Sequence, residues 1–320
     1  MIYPWQTQQW EQLLRLRKEQ RLPHALLFSG PAGLGKRALA LEFAHLVFCQ
    51  NSKESDASCG ACHACHLLRA GSHPDFRVLQ PEEEGHAIKI DQIRELSEFT
   101  QQTSHQGGLR LVLIQPATAM NIAAANALLK TLEEPAPDTL LILISDNRTP
   151  LPITIRSRCQ HLRFLAPPRE TALTWLAAQD PAVAWEPILA ATQGAPLLAY
   201  QWQQGGVWSS YQNFMTDLAA LTRQEADPFQ LAVQWKDANM LWVFDLFFQW
   251  LLKWMRMQEV PEKSEGVLAS ALPGRISSGH LLEFVDYLQR LRLEALGPSN
   301  LNQQLMLESL FIRWVQYVSR

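Results

Sequence analysis

Five short apolar runs alternate with helical stretches between residues 24 and 164, and this alternation constrains the fold more than any other feature of the chain. The runs are HALLFSG (24–30), DFRVLQ (75–80), LRLVLIQ (109–115), LLILIS (140–145) and HLRF (161–164), with helical patterns over 36–49, 91–104 and 120–134. A strand that is apolar at consecutive positions is buried on both faces, and strands separated by helices are joined by crossovers. The pattern therefore predicts an α/β fold with a five-stranded parallel sheet and helices on both of its faces. The first run leads straight into GPAGLGKR (30–37), and the loop between a strand and the following helix is where such sheets hold phosphates.

Gly30, Gly33 and Gly35 permit a tight turn whose backbone N–H groups can surround a phosphate, and Lys36 adds a point charge. These four residues are the candidate nucleotide-binding set of a P-loop. Hydrolysis asks for more. Magnesium takes oxygen ligands, ordinarily a hydroxyl directly after the lysine and a carboxylate ending a neighbouring strand. Arg37 stands at the first place, and LRLVLI runs into Gln115, Pro116 and Ala117 at the second. With neither ligand present, the sequence predicts no ATP turnover. Two other readings of the loop stay open: a glycine-rich turn that merely opens a helix, and a site where Arg37 pairs with phosphate in place of the metal. Glu133 and Glu134 close a helix before Pro135 instead of ending a strand, which suits a structural or interface role.

Four of the five cysteines are crowded together. Cys59, Cys62 and Cys65 form C-x2-C-x2-C, and Cys49 precedes them by nine intervening residues. Two-residue spacers let thiolates converge on one ion, and four sulfurs complete the closed tetrahedral shell of a structural Zn2+. Such a site would pin an insert of about 17 residues (49–65) onto the helix that follows the glycine loop. His63 and His66 are alternative ligands, and thiol redox chemistry is the competing reading. Cys159, far away in sequence, reads as a buried apolar residue.

Three domains are expected: 1–166, containing the sheet; 167–205, a small helical unit beginning after Pro167 and Pro168; and 206–320, rich in Trp and Leu at helical spacing. The segment MLWVFDLFFQWLLKWM (240–255) is shorter than the roughly 20 residues that span a bilayer. Asp245, Gln249 and Lys253 give it one polar stripe, so it reads as a buried helix of a bundle. No secretory leader is recognisable, and a cytoplasmic protein is expected. A formal charge of −3 without any Lys/Arg block argues against a protein that wraps nucleic acid.

Together with SHPDF (72–76), ANALLKTLEEP (125–135), ITIRSRC (153–159) and NLNQQLMLESLFIRW (300–314), these features closely resemble the bacterial clamp-loader subunits of the AAA+ class over nearly the whole chain. The resemblance implies an AAA+ domain, a helical lid and a helical collar through which five subunits form a ring. It implies as partners the gamma or tau ATPase subunits and a delta subunit and, through the complex, the sliding clamp and primed DNA. The chain would then catalyse nothing itself, as an accessory subunit of a DNA-directed DNA polymerase (nucleotidyltransferase) holoenzyme. In the loader's ATPase subunits, a polar residue ending a later strand and an arginine of the lid also hold ATP. Here Ser145 stands at the first position and Leu197 at the second, which leaves ATP or ADP without its usual ligands. In loader relatives the arginine of the Ser-Arg-Cys triplet reaches a neighbour's ATP site, so Arg158 would be an arginine finger acting in trans. Without the resemblance, Arg158 reads as a salt-bridged surface residue. Two other functions compete: an ATPase that tolerates Arg37, and a zinc-dependent nucleic-acid-binding module.

Overall fold

The computed structural model describes residues 2–52, 56–83, 85–104, 108–146, 151–259, 278–295 and 302–319. The chain forms two compact units, Met1–Gly205 and Gly206–Arg320. In the first, a 3-10 turn (Pro4–Gln6) leads into α1 (Thr7–Lys18), β1 (Ala25–Ser29), α2 (Lys36–Phe48), α3 (His63–Arg69), β2 (Phe76–Leu79), α4 (Ile90–Gln101) and β3 (Arg110–Ile114). Then follow α5 (Ile122–Glu133), β4 (Thr139–Ser145), α6 (Ile153–Arg156), β5 (Gln160–Arg163), α7 (Arg169–Gln179), α8 (Trp185–Ala191) and α9 (Pro196–Gln204).

The five strands make one sheet in the order β2-β3-β4-β1-β5, and every neighbouring pair is parallel. The expected α/β architecture is the observed one. β3 and β4 are buried at every position, as consecutive apolar residues require. Their side chains alternate between two cores. Leu26, Phe28, Leu113 and Ile142 pack with Leu13 of α1 and Leu39 and Phe43 of α2. Leu27, Val112, Ile114 and Leu143 pack on the other face with Ile93 and Leu96 of α4, Leu128 and Leu132 of α5, and Ile155 of α6. Each fully buried side chain of this size contributes about 1.5–3 kcal/mol, so the two helical layers fix the sheet between them.

Polar residues fasten the ends of these elements. Asn121 caps α5 by accepting from the Ala124 N–H at 2.8 Å, a bond type worth about 1 kcal/mol. Arg110, buried at the start of β3, donates to the carbonyls of Phe99 and Thr100 at 2.7 and 2.6 Å. A buried guanidinium without partners would be strongly destabilising, whereas here it meets the negative end of α4. The helical patterns read from sequence omitted α3 and α6; seven and four residues are too few for a 3.6-residue period to emerge.

The second unit is helical: α10 (Val207–Thr222), α11 (Pro228–Trp235), α12 (Met240–Glu259), α13 (Ser278–Ala295) and α14 (Gln303–Val318). Trp314 lies at its centre, 5.0–5.5 Å from the rings of Phe284, Trp250 and Phe247. Its indole N–H donates to Thr222 Oγ1 at 2.9 Å. The segment 240–255 lies in α12, where Val243, Phe244, Phe247 and Leu251 are buried and Asp245 pairs with Arg292 at 3.3 Å. Among the described residues no helix is long and apolar enough to cross a membrane. The side chain of Lys253, Leu301, and the sequence breaks at 261–266, 271–277 and 296–300 lie outside the described residues.

Candidate functional site

β1 carries Ser29 and Gly30 to the C-terminal edge of the sheet, and α2 starts at Lys36. Gly33 and Gly35 have φ of 75° and 79°, the left-handed region that disfavours side chains by roughly 1–2 kcal/mol. Space is equally decisive. A Cβ on Gly33 would collide with Leu198 of α9, and one on Gly35 would lie 2.7 Å from Gln6 Nε2 and from the Tyr3 ring. Gly30 abuts the Phe164 carbonyl. The loop is thus packed by its own chain. Trp5 Nε1 and Gln6 Nε2 both donate to the Leu34 carbonyl, at 3.1 and 2.9 Å, and the Leu197 N–H donates to the Gly33 carbonyl at 3.1 Å. Beside the loop Tyr3 and Trp5 stack at 5.0 Å, and Trp175 of α7 meets both rings edge-on at 5.7 and 5.4 Å.

Lys36 is 5% exposed. Its ammonium donates to the carbonyls of Gly30 at 2.7 Å and Pro31 at 2.6 Å and pairs with Asp146 at 2.5 Å. An ammonium has three donors, so the described chain already supplies an acceptor for each. Burial pushes the Lys36 pKa below the ordinary lysine value, and the Asp146 carboxylate opposes that shift. Asp146 escaped the sequence reading, which placed the polar role on Ser145. The sequence showed only a carboxylate directly after an apolar strand; that this strand pairs with β1, Ser145 standing opposite Ser29, is visible in the structure alone. Arg37 is exposed. Gln115, at the end of β3, brings an amide whose Oε1 is buried without a hydrogen bond among the described residues.

The four cysteines of the insert come together. Cys49 is the C-cap of α2, Cys62 the N-cap of α3, and Cys65 lies in the first turn of α3. Their Sγ atoms, with that of Cys59, all lie within 4.8 Å of one another. A tetrahedral ion with metal–sulfur bonds of about 2.3 Å would space its sulfurs about 3.8 Å apart, so small side-chain movements suffice. Neither His63 nor His66 belongs to this group. The Cys59 N–H donates to Cys49 Sγ at 3.2 Å, the Cys62 N–H to Cys59 Sγ at 3.3 Å, and the Asn51 amide to the same sulfur at 3.6 Å. Backbone donors hold the Cys59 thiol down at about 6, whereas burial pushes Cys65 up to about 12. The arrangement offers four sulfurs to one metal ion.

Arg158 follows α6, between Ile155 and Cys159, both buried in the core under α4 and α5. Burial also raises the Cys159 thiol to about 11, in keeping with a core role. The guanidinium of Arg158 is 35% exposed; Nη2 pairs with Glu133 Oε1 at 2.6 Å, and Nη1 donates to the Thr154 carbonyl at 3.0 Å. Sequence reasoning weighed Glu133 and Arg158 separately, because their pairing depends on how α5 and α6 meet. The glycine loop, the cysteine group and Arg158 form three separate stations of the first unit.

Comparison with known proteins gives the family. The family described as "DNA polymerase III, delta subunit" matches residues 5–168, and "DNA polymerase III, delta subunit, C terminal" matches residues 206–316. The chain is 39% identical to the DNA polymerase III subunit delta' of Pseudomonas aeruginosa, over 98% of this chain and 97% of that one. It is 30% identical to the subunit of the same name from Escherichia coli, over 99% and 96%. Among solved structures, a DNA polymerase III gamma subunit-related protein of Thermotoga maritima matches with a TM-score of 0.48 and 19% identity, over 97% of this chain and 99% of that chain. On its near full-length identity to these relatives, the chain belongs to the DNA polymerase III delta-prime subunit family.

Proposed function

We propose that this chain is the non-hydrolysing delta-prime subunit of a DNA polymerase III clamp loader, and that it completes a neighbour's ATP site with Arg158. The observation that carries the reading is the contrast between its two cations. Lys36 is buried with each donor matched to an acceptor of its own chain, whereas Arg158 stands partly exposed on a short turn anchored in the core. The first cannot serve an incoming phosphate without breaking internal bonds. The second can exchange one exposed carboxylate, Glu133, for a phosphate carrying greater charge.

The division of labour follows. Arg37 and Gln115 supply neither the hydroxyl nor the carboxylate that magnesium needs beside a P-loop, so the chain's own loop turns nothing over. Arg158 would place guanidinium charge where the transferring phosphoryl group of a gamma or tau subunit gathers negative charge. Gly30, Gly33, Gly35 and Lys36 then act as a framework. The cysteine group holds Zn2+ through Cys49, Cys59, Cys62 and Cys65, and the metal supplies a covalent-strength tie between α2 and α3 with no open position for chemistry. The helices of residues 206–320 serve as the collar that joins delta, gamma or tau and this subunit into a ring acting on the sliding clamp and primed DNA.

The test is an ATPase measurement on the assembled loader carrying Arg158→Ala in this subunit. Fingers of this kind contribute about 10³-fold in rate, so one site's turnover should vanish while ring assembly and thermal stability stay unchanged. Wild-type turnover at every site in the Arg158→Ala complex would reject the assignment.

A further inference from the structure

The four cysteines of the insert divide by exposure. Cys49 and Cys65 are buried, whereas Cys59 lies on the surface and Cys62 is half-buried. A small oxidant arriving from solvent therefore meets Cys59 and Cys62 before the other two. These two are also placed to join. Their sulfurs belong to a group whose members all lie within 4.8 Å of one another, and the Cys62 N–H already points at Cys59 Sγ, at 3.3 Å. A disulfide asks its sulfurs to close to about 2.05 Å, so at least one of them has to move. Cys59 lies outside both helices, and Cys62 only caps α3. Cys65 is inside the first turn of α3, and the Cys49 N–H is held by the His45 carbonyl of α2 at 3.1 Å.

We propose that Cys59 and Cys62 form an oxidative modification site, at which hydrogen peroxide closes a disulfide and the cysteine group gives up its metal. The release of metal rests on the zinc reading above; the disulfide does not. The Cys59 sulfur attacks one oxygen of the peroxide, the O–O bond breaks, and a sulfenic acid forms with loss of hydroxide. The Cys62 sulfur then attacks the sulfenic sulfur, the S–O bond breaks, and a second hydroxide leaves as the S–S bond forms. Two thiolates thereby lose two electrons, the peroxide gains them, and two protons from solvent turn both hydroxides into water. A disulfide sulfur carries no charge, so only Cys49 and Cys65 are left to a metal whose closed shell takes four ligands.

The structural consequence stays local. α3 has seven residues, too few to persist without tertiary support. α2 is anchored independently, through Leu39, Phe43 and Leu46 in the core shared with α1. Ahead of Cys59 the chain is tied to α1, where Arg17 donates to Ser52 Oγ at 2.6 Å and Lys18 pairs with Asp56 at 2.8 Å. Loss of the metal therefore loosens residues 59–70 and leaves the sheet intact.

The test treats the full chain, loaded with Zn2+ or stripped of metal, with hydrogen peroxide. A chromogenic chelator reads the metal released, peptide mass spectrometry the state of each cysteine, and hydrogen exchange the order of the backbone. A Cys59–Cys62 disulfide should form in both samples. In the loaded chain one ion should leave per disulfide, and exchange across residues 59–70 should quicken at least about 10-fold while β1, β3 and β4 keep their protection. Dithiothreitol with fresh Zn2+ should reverse these changes. Cys62→His keeps a nitrogen ligand for the metal and removes the second sulfur, so it should hold its metal through the same treatment; Cys159→Ala should behave as the wild type. Failure of the unoxidised chain to take up Zn2+ would reject the zinc reading and leave the disulfide to be decided on the stripped sample. Bridges that omit Cys59 or Cys62, a Cys59 that ends as sulfinic acid without a bridge, or a loaded chain that bridges yet keeps its metal would overturn the proposal.

Discussion

Replacing Lys36 by methionine keeps most of the side chain's length and removes its charge, so it isolates what the ammonium does. A lysine kept ready for phosphate would leave the free protein's stability unaltered when lost. Lys36 instead satisfies two loop carbonyls and one carboxylate. Asp146 is 38% exposed and can regain water, so the loss falls mainly on the carbonyls of Gly30 and Pro31. Lys36→Met should destabilise the chain by about 1–3 kcal/mol, measured by urea unfolding. The Arg158–Glu133 pair is half-exposed, and surface pairs contribute only about 0–1 kcal/mol, so its value lies in orienting a side chain. At this scale the sequence was legible wherever one position sufficed. Arg37 directly after Lys36 and Gln115 directly after β3 stand where the sequence placed them. Asp146 and Glu133 were illegible as partners, because each meets its cation through strand register or helix packing that no single position encodes.

Among the elements, the insert between α2 and α3 makes the sharpest claim. The spacing of Cys59, Cys62 and Cys65 disclosed a set of thiols that could hold one metal ion, and Cys49 joined it because it ends the helix that begins in the glycine loop. The seven-residue α3 was not foreseen, yet it explains the geometry: Cys62 caps it and Cys65 sits within its first turn. The thiols should differ in reactivity once metal is stripped. A thiolate is the nucleophile, and Cys59 is mostly thiolate above about pH 6, whereas Cys65 and Cys159 hold their protons to about 12 and 11. At pH 7 iodoacetamide should therefore label Cys59 first and leave Cys65 and Cys159 unlabelled while the fold persists, as mapped by mass spectrometry. With Zn2+ added, elemental analysis should find one ion per chain and all four insert cysteines should be protected. Equal labelling of all five in the stripped chain would remove the difference in reactivity, and labelling of the insert cysteines in the presence of Zn2+, or a metal content near zero, would remove the zinc assignment.

For the molecule as a whole, the apolar runs disclosed a parallel sheet because consecutive Leu, Val and Ile residues need cover on both faces. They could not disclose the order β2-β3-β4-β1-β5, which is set by the packing of the crossover helices. In the second unit, helical spacing identified apolar residues without sorting them. Phe311 proves to be buried, whereas Leu305 is 57% exposed. Phe229 and Val233, one turn apart on α11, are 54% and 48% exposed and form an apolar patch on one face of that helix. If residues 206–320 join subunits, Phe229→Asp/Val233→Asp should weaken ring assembly in analytical ultracentrifugation while leaving the melting curve of the isolated chain unchanged.

The backbone bond from Leu197 to the Gly33 carbonyl has a consequence beyond the loop it closes. It clasps α9 to the loop at the spot where an ATPase would admit its fuel; if the chain is the non-hydrolysing subunit proposed above, its form would not vary with the cell's energy charge. On that proposal, a starving cell and a growing one would contain the same part, a fixed abutment for its neighbours in the ring.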